Sequence, residues 1–253
     1  MGIGLCLSSG GAKGLVHIGV IKQLEKAGIE INAISGTSIG ALIGGMYAYT
    51  KDIKKIEEFA LKITKFKWYK TMLLDARPWT NGILAGRGIM KMIEEVIPKY
   101  ARIGDCKMQL DIIAVDLLTG KEVSFNAYSN LLDAIRASIS LPGTFKPFNN
   151  YLVDGTCINP APIIYLDPFK YILMVATCRE DGLAMQTKIN IPGIMHTYMM
   201  NSTASLIRHS SKYADYTLWP NVDDVDTLEF WKAKECIEEG ERIARNVGKI
   251  IKL

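Results

Sequence analysis

The first fifty residues repeat one local pattern, and that repeat limits the fold more than any other feature. Residues 2–7 form a short apolar run ending in Ser8-Ser9-Gly10-Gly11, the mark of a buried strand meeting a turn. Leu15, Ile18, Ile21, Leu24 and Ala27 then share one helical face, and Gly28 stands where a C-cap glycine belongs. Residues 31–34 are a second apolar run, closed by Ser35-Gly36-Thr37-Ser38. Residues 39–49 follow as a helix of small residues, with Ala41, Gly44, Gly45 and Ala48 suited to close packing. Strand, glycine turn and helix, twice over, make a βαβα unit whose strands run parallel. The expected fold is α/β: a three-layer sandwich with a mainly parallel central sheet and helices on both faces.

Downstream, 52–65 reads as amphipathic, and 66–81, with Trp68, Tyr69, Met72, Leu73, Leu74 and Trp79, reads as irregular. Residues 88–99 predict a helix. Residues 110–115 and 122–125 predict a hairpin around Leu117-Leu118-Thr119-Gly120. A helix at 131–140 is stopped by Pro142-Gly143, and a short strand at 151–153 runs into Asp154-Gly155. A strand at 171–177, a helix at 193–212, a strand at 216–219 and a long helix at 226–253 complete the chain. Neither a repeat nor a linker interrupts it, so residues 1–253 are expected to form a single domain with its motif-bearing core at 3–160.

Thirty basic and twenty-six acidic residues leave a net charge of +4, too mild for a nucleic-acid binder. Cys6, Cys106, Cys157, Cys178 and Cys236 show no CxxC and no metal-like spacing. Buried thiols in a reducing, cytoplasmic setting are expected, with no disulfide, metal site or cofactor. No basic segment opens a secretory leader. Residues 31–50 and 189–207 lack charged side chains but hold glycines, a proline and hydroxyls, and read as buried soluble segments rather than membrane spans. Asp223-Asp224-Val225-Asp226 lacks the glycine and final glutamate of a calcium loop and reads as a capped helix start.

The chemistry concentrates in the two turns. Gly36-Thr37-Ser38-Ile39-Gly40 is a G-x-S-x-G sequence in the strand–turn–helix setting that a nucleophile elbow needs. Ser38 is then either an exposed nucleophile at a helix N-terminus or only an N-cap. Gly10-Gly11-Ala12-Lys13-Gly14 also follows a strand and opens a helix. The dinucleotide fingerprint fails at Ser9, and no acidic residue ends the second strand. An oxyanion hole fits better, because the turns of two neighbouring parallel strands lie side by side. A nucleophilic serine needs a base. His17 reads as a packing or hydrogen-bonding residue. His196 and His209 follow every candidate aspartate, so a Ser–Asp–His order stays open. Asp154, closing a strand before Gly155, is the other choice, and otherwise a turn former.

Four blocks in order give the chain a resemblance to the patatin-like phospholipases, of the small bacterial or archaeal type. They are Gly10–Gly14 with His17-Ile18-Gly19-Val20; Gly36–Ala41; Arg136-Ala137-Ser138-Ile139-Ser140-Leu141-Pro142 with Phe145 and Pro147; and Val153-Asp154-Gly155 with Asn159 and Pro160. The resemblance implies a Ser–Asp dyad, with Ser38 as nucleophile and Asp154 as proton acceptor. It implies an oxyanion hole at the amides of Gly10 and Gly11, joined by that of Ile39. Lys13 takes the family's basic position in the glycine loop, or else is a solvated lysine. Gly14, Gly36, Gly40 and Gly155 support the turns. Ser9 stands where the family often has a third glycine, and Thr156 where it usually has glycine or alanine.

The implied activity is hydrolysis of a lipid or other acyl ester through an acyl-enzyme, as a phospholipase A, lysophospholipase or nonspecific acyl hydrolase. A nucleotide- or phosphate-binding protein and a patatin-fold scaffold with a dead site are the competing classes. Lys51, Lys54, Lys55, Lys62, Lys65, Lys67 and Lys70 run into Trp68, Tyr69, Met72, Leu73 and Leu74. Such a segment suits peripheral contact with an anionic membrane, or a lid over an acyl pocket, or a solvated face beside core aromatics. The sequence leaves the natural lipid and the oligomeric state open.

Overall fold

The computed structural model describes residues 2–77, 82–181 and 190–251. The readings for Pro78, Trp79 and Asn81, and for the last two residues of the expected terminal helix, lie outside them. Among the described residues seven strands form one sheet, in the order β4-β3-β2-β1-β6-β7 with β5 beside β3. They are β1 (Ile3–Leu7), β2 (Ile31–Thr37), β3 (Gln109–Asp116), β4 (Lys121–Ser124), β5 (Leu152–Asp154), β6 (Ile172–Val175) and β7 (Tyr216–Leu218). The pairs β1–β2, β2–β3, β1–β6 and β6–β7 are parallel; β4 and β5 pair antiparallel with β3. The expected hairpin is β3–β4. Its turn is held by Asp116, which accepts the amides of Leu118 and Thr119.

The period of two along each strand divides the core between the two faces. Ile3, Leu5 and Leu7 of β1, with Leu173 and Val175 of β6, join the larger core. On that face lie α1 (Val16–Lys26), α2 (Ile39–Thr50), α3 (Ile53–Leu61), α6 (Leu131–Ser138) and α8 (Ala233–Ala244). Cys6, Met174 and Ala176 point the other way, to Ile163, Leu166 and Ile207 of α7 (Ile191–Ser210). The α/β architecture with helices on both faces is thus the one expected.

Several local expectations need correction. Residues 66–81 are not irregular throughout: α4 spans Lys65–Asp75, capped by the Thr64 hydroxyl. Its apolar residues hide the helical period because they face opposite ways, Trp68 buried while Phe66, Leu73 and Leu74 are exposed. The helix expected at 88–99 is shorter, α5 (Arg87–Ile93), and its first amides are capped by the buried carboxylate of Asp75. The long helix at 226–253 is broken: a 3₁₀ turn at Phe230–Lys232 precedes α8, and α9 is only Val247–Ile250. Asp223 is not at a helix start but pairs with Arg179 at 2.7 Å. The uncharged stretch at 31–50 is β2 and α2 and is mostly buried. Of the one at 189–207, residues 191–207 fall on α7 and are not mostly buried: Ile191 is 79% and Tyr198 70% exposed. Among the described residues no helix is long and apolar enough to cross a membrane. All five cysteines are free; Cys6 and Cys236 are buried, while Cys157 is exposed.

Candidate active site

Ser38 sits between β2 and α2 with φ 57° and ψ −121°, a strained conformation for a residue with a Cβ. The turn is tight because strand and helix meet backbone to backbone. A Cβ on Gly40 would lie 2.1 Å from the Leu7 carbonyl oxygen, and one on Gly36 2.6 Å from the Gly40 backbone. A Cβ on Gly14 would strike Ile39, so the first βα turn packs directly against the elbow. The Ser38 amide donates to Ser138 Oγ at 2.8 Å, and that hydroxyl donates to the Ile113 carbonyl at 2.6 Å. Ser138 thereby ties the strained turn to α6 and β3.

Strand register delivers the partner. Thr37 pairs with Ile113 across β2–β3, and Ala114 pairs with Asp154 across β3–β5. Asp154 therefore ends its strand beside Ser38, whose hydroxyl donates to Asp154 Oδ2 at 2.6 Å. The other oxygen, Oδ1, accepts the Thr156 amide at 2.9 Å and the Thr156 hydroxyl at 2.5 Å. Asp154 is only 2% exposed. Burial pushes its pKa up to about 6, against the lowering pull of the Ser38 and Thr156 hydrogen bonds. Thr156, read from sequence as a departure, is therefore a direct partner of the carboxylate. Gly155 lets the turn close, since a Cβ there would sit 3.0 Å from the Ile113 oxygen. Buried Arg136 braces the site from behind. It bonds to Ser140 Oγ, Ala85 O and Lys146 O, while the Ser140 carbonyl accepts the Asp154 amide at 3.0 Å.

Because β1 and β2 are neighbours, the glycine turn borders the same cavity as Ser38, Ile39 and Asp154. Gly10 and Gly11 have φ 153° and 59°, values that disfavour any side chain. Their amides donate to no acceptor among the described residues. Thr177 and Thr227 press on the two glycines from outside. His17 supports the turn from within: its Nε2 lies 2.9 Å from the Ser8 carbonyl, and burial lowers its pKa to about 4, so the neutral ring donates this bond. His196 and His209 are exposed on α7, and neither is among the cavity-lining residues. Lys13 is not a solvated lysine. It is buried at the cavity wall, and burial lowers its pKa against the opposing pull of Asp223 and Asp226.

The cavity has a volume of about 250 Å³. One side is apolar, formed by Leu42, Phe59, Ile63, Trp68, Met92 and Phe230, with Trp68 and Phe230 stacked at 4.5 Å. The sequence suggested only the Trp68 part of this wall, as a lid over an acyl pocket, because α2, α3, α4, α5 and the Phe230 turn each contribute only one or two residues. The lining also carries Thr177, Cys178, Arg179, Thr203, Arg208 and Asp223.

A family model described as "Patatin-like phospholipase" matches residues 5–167. An uncharacterized NTE family protein of Mycobacterium tuberculosis is 32% identical over 217 residues, 81% of this chain and 57% of that one. Patatin-like phospholipase domain-containing protein 6 of Homo sapiens is 25% identical over 283 residues, 97% of this chain and 20% of that one. Lysophospholipase NTE1 of Candida glabrata is 32% identical over 170 residues, 64% of this chain and 10% of that one. The chain thus spans little more than half of the mycobacterial relative and a smaller share of the other two. Among solved structures, VipD from Legionella pneumophila aligns over 97% of this chain and 67% of its own, with a TM-score of 0.52 at 12% identity, a likeness of fold. On the matched residues, the chain belongs to the patatin-like phospholipase family.

Proposed function

We propose that this chain is a serine acyl-ester hydrolase that acts on lipid esters through Ser38 and Asp154, in the class of phospholipases A, lysophospholipases and nonspecific lipid acyl hydrolases. One observation carries the reading: a strained elbow serine donating at 2.6 Å to a buried carboxylate, at the wall of a largely apolar cavity. An unperturbed aspartate, with a pKa near ~3.9, is a feeble base at neutral pH. Burial moves Asp154 to about 6, closer to the working range of a general base.

In this mechanism Asp154 Oδ2 accepts the proton of Ser38 as Oγ attacks the ester carbonyl. The amides of Gly10 and Gly11, joined by that of Ile39 at the N-terminus of α2, hold the oxyanion. Asp154 returns the proton to the departing alcohol oxygen and leaves an acyl-Ser38. Water, deprotonated by Asp154, then releases the fatty acid. The apolar side of the cavity takes the acyl chain. Lysophospholipase activity, printed in the name of the Candida relative, falls within this class.

The exposed faces of α4 and α7 support a peripheral site of action at the cytoplasmic face of a membrane. Phe66, Leu73 and Leu74 stand out from α4 among Lys62, Lys65, Lys67 and Lys70. Ile191, Ile194, Met195 and Tyr198 form a stripe on the first two turns of α7, which carry no charged side chain. The segment at 227–231 joins the two helices, with Thr227 against His196 and Phe230 against Trp68. Both helices border the cavity, so docking on these faces delivers lipid to Ser38.

The test is turnover of a short-chain p-nitrophenyl ester by wild type, Ser38→Ala and Asp154→Asn, with circular dichroism as the folding control. Turnover in wild type and loss in both variants is expected. Full activity in Asp154→Asn would discard the dyad. A folded but inert wild type would favour the scaffold reading.

A further inference from the structure

The cavity wall holds a cation that pairs with no carboxylate among the described residues. Arg208 lies on the cavity face of α7, one turn after Ala204 and two after Met200, both also at the wall. The residue is half-buried. Among the described residues it bonds to the Cys178 sulfur and makes one long bond from Nη1 to the Arg179 carbonyl at 3.4 Å. No carboxylate pairs with it among those residues. Arg179 differs: its Nη1 pairs with Asp223 at 2.7 Å, and its other nitrogens bond to Asp181. A guanidinium carries five donors in a fixed fork suited to phosphate and carboxylate. At a partly buried wall, unused donors are costly unless a ligand takes them.

The position of Arg208 gives the ligand its orientation. Arg179, its backbone partner, is two residues past Thr177, which bonds to the Ser9 carbonyl and presses on Gly10. The cation therefore belongs to the part of the wall next to the glycine turn. Among the described lining residues the cations Lys13, Arg179 and Arg208 outnumber the carboxylates Asp154 and Asp223, of which Asp154 holds Ser38 and Asp223 pairs with Arg179.

We propose that Arg208 is the specificity-determining residue of an anion subsite that receives a phosphate on the alcohol portion of the ester. The inference rests on the hydrolase reading for its orientation: the acyl chain occupies the apolar wall and the phosphate-bearing alcohol the Arg208 end. It narrows the substrates to acyl esters of phosphorylated alcohols, in preference to matched neutral esters.

The test compares 1-acylglycerol 3-phosphate with the 1-acylglycerol of the same chain, in wild type, Arg208→Gln and Arg208→Lys. Arg208→Gln is expected to lower kcat/KM for the phosphorylated ester about tenfold to a hundredfold, the size of a lost charge-assisted bond, and for the neutral ester less than threefold. Arg208→Lys should fall between. Equal losses on both esters, or none on either, would overturn the proposal. Binding to the Ser38→Ala chain by calorimetry separates this inference from the hydrolase reading, because it needs no turnover. There, Arg208→Gln should weaken the phosphorylated ester at least tenfold and leave the neutral one unchanged. Binding of inorganic phosphate as tight as that of the acylated phosphate would make the site a free-phosphate site and overturn the headgroup assignment.

Discussion

Burial of the Asp154 carboxylate raises its pKa and at the same time strains the fold. Its pKa is about 6 when folded and near ~3.9 when unfolded, so the folded chain holds this proton more tightly. The stabilisation is complete below ~pH 3.9 and is lost as pH rises through 6. Above that, the ionised carboxylate costs the fold about 3 kcal/mol, two pKa units at ~1.36 each. Asp154→Asn keeps the local bonding: its oxygen accepts from Thr156 and its nitrogen donates to Ser38. Denaturant unfolding at pH 8 should find this variant more stable than wild type by about 1–3 kcal/mol, with the difference vanishing near pH 4. A variant less stable at pH 8 would mean that the carboxylate is not held at a cost. Thr156 belongs to the same balance. From sequence it was a residue out of pattern, and only the turn at 154–156 brings its hydroxyl back onto Oδ1.

The decisive element is the elbow, held by contacts that span the chain. Ser138 on α6 accepts the Ser38 amide from a hundred residues away. Ser138→Ala leaves that amide without its acceptor, and loss of such a buried bond is worth about 1–3 kcal/mol. We expect kcat to fall about tenfold or more with KM little changed, because the strained turn relaxes while the acyl wall stays intact. Unchanged kcat would show that the elbow holds its shape without α6. Gly40→Ala is more severe, since its Cβ would meet the Leu7 carbonyl at 2.1 Å in the middle of the sheet. A loss of about 3 kcal/mol or more is expected in thermal or denaturant unfolding. Both βα turns were legible in sequence, because strand, glycines and helix period agree over a short stretch. Helix α4 was not, since its inward Trp68 and outward Phe66, Leu73 and Leu74 cancel any period. The terminal helix was overread for the opposite reason: apolar spacing persists through residues 226–232, where the chain makes a 3₁₀ turn to place Phe230 against Trp68.

At the scale of the molecule, the sheet order sets the site. Neighbouring β1 and β2 bring the glycine turn to Ser38, and β5 beside β3 brings Asp154. This convergence was legible in outline, because parallel neighbours place their turns at one edge. The cavity walls and the exposed α7 stripe were not, because they depend on how distant helices pack. That stripe and α4 predict binding to vesicles containing phosphatidylglycerol, and weaker binding to phosphatidylcholine alone. Replacing Lys62, Lys65, Lys67 and Lys70 by Glu should weaken the anionic binding about a hundredfold or more, at ~1 kcal/mol for each lysine. Co-sedimentation insensitive to lipid charge and to these changes would remove the membrane from the account.

The central claim, that buried Asp154 activates Ser38, is tested most directly by the pH dependence of fluorophosphonate labelling, with the adduct mapped by mass spectrometry. The account predicts a single adduct on Ser38, forming faster as pH rises through about 6, and no comparable labelling in folded Asp154→Asn. Labelling at another residue, or at Ser38 with the same rate and pH profile in Asp154→Asn, would contradict it.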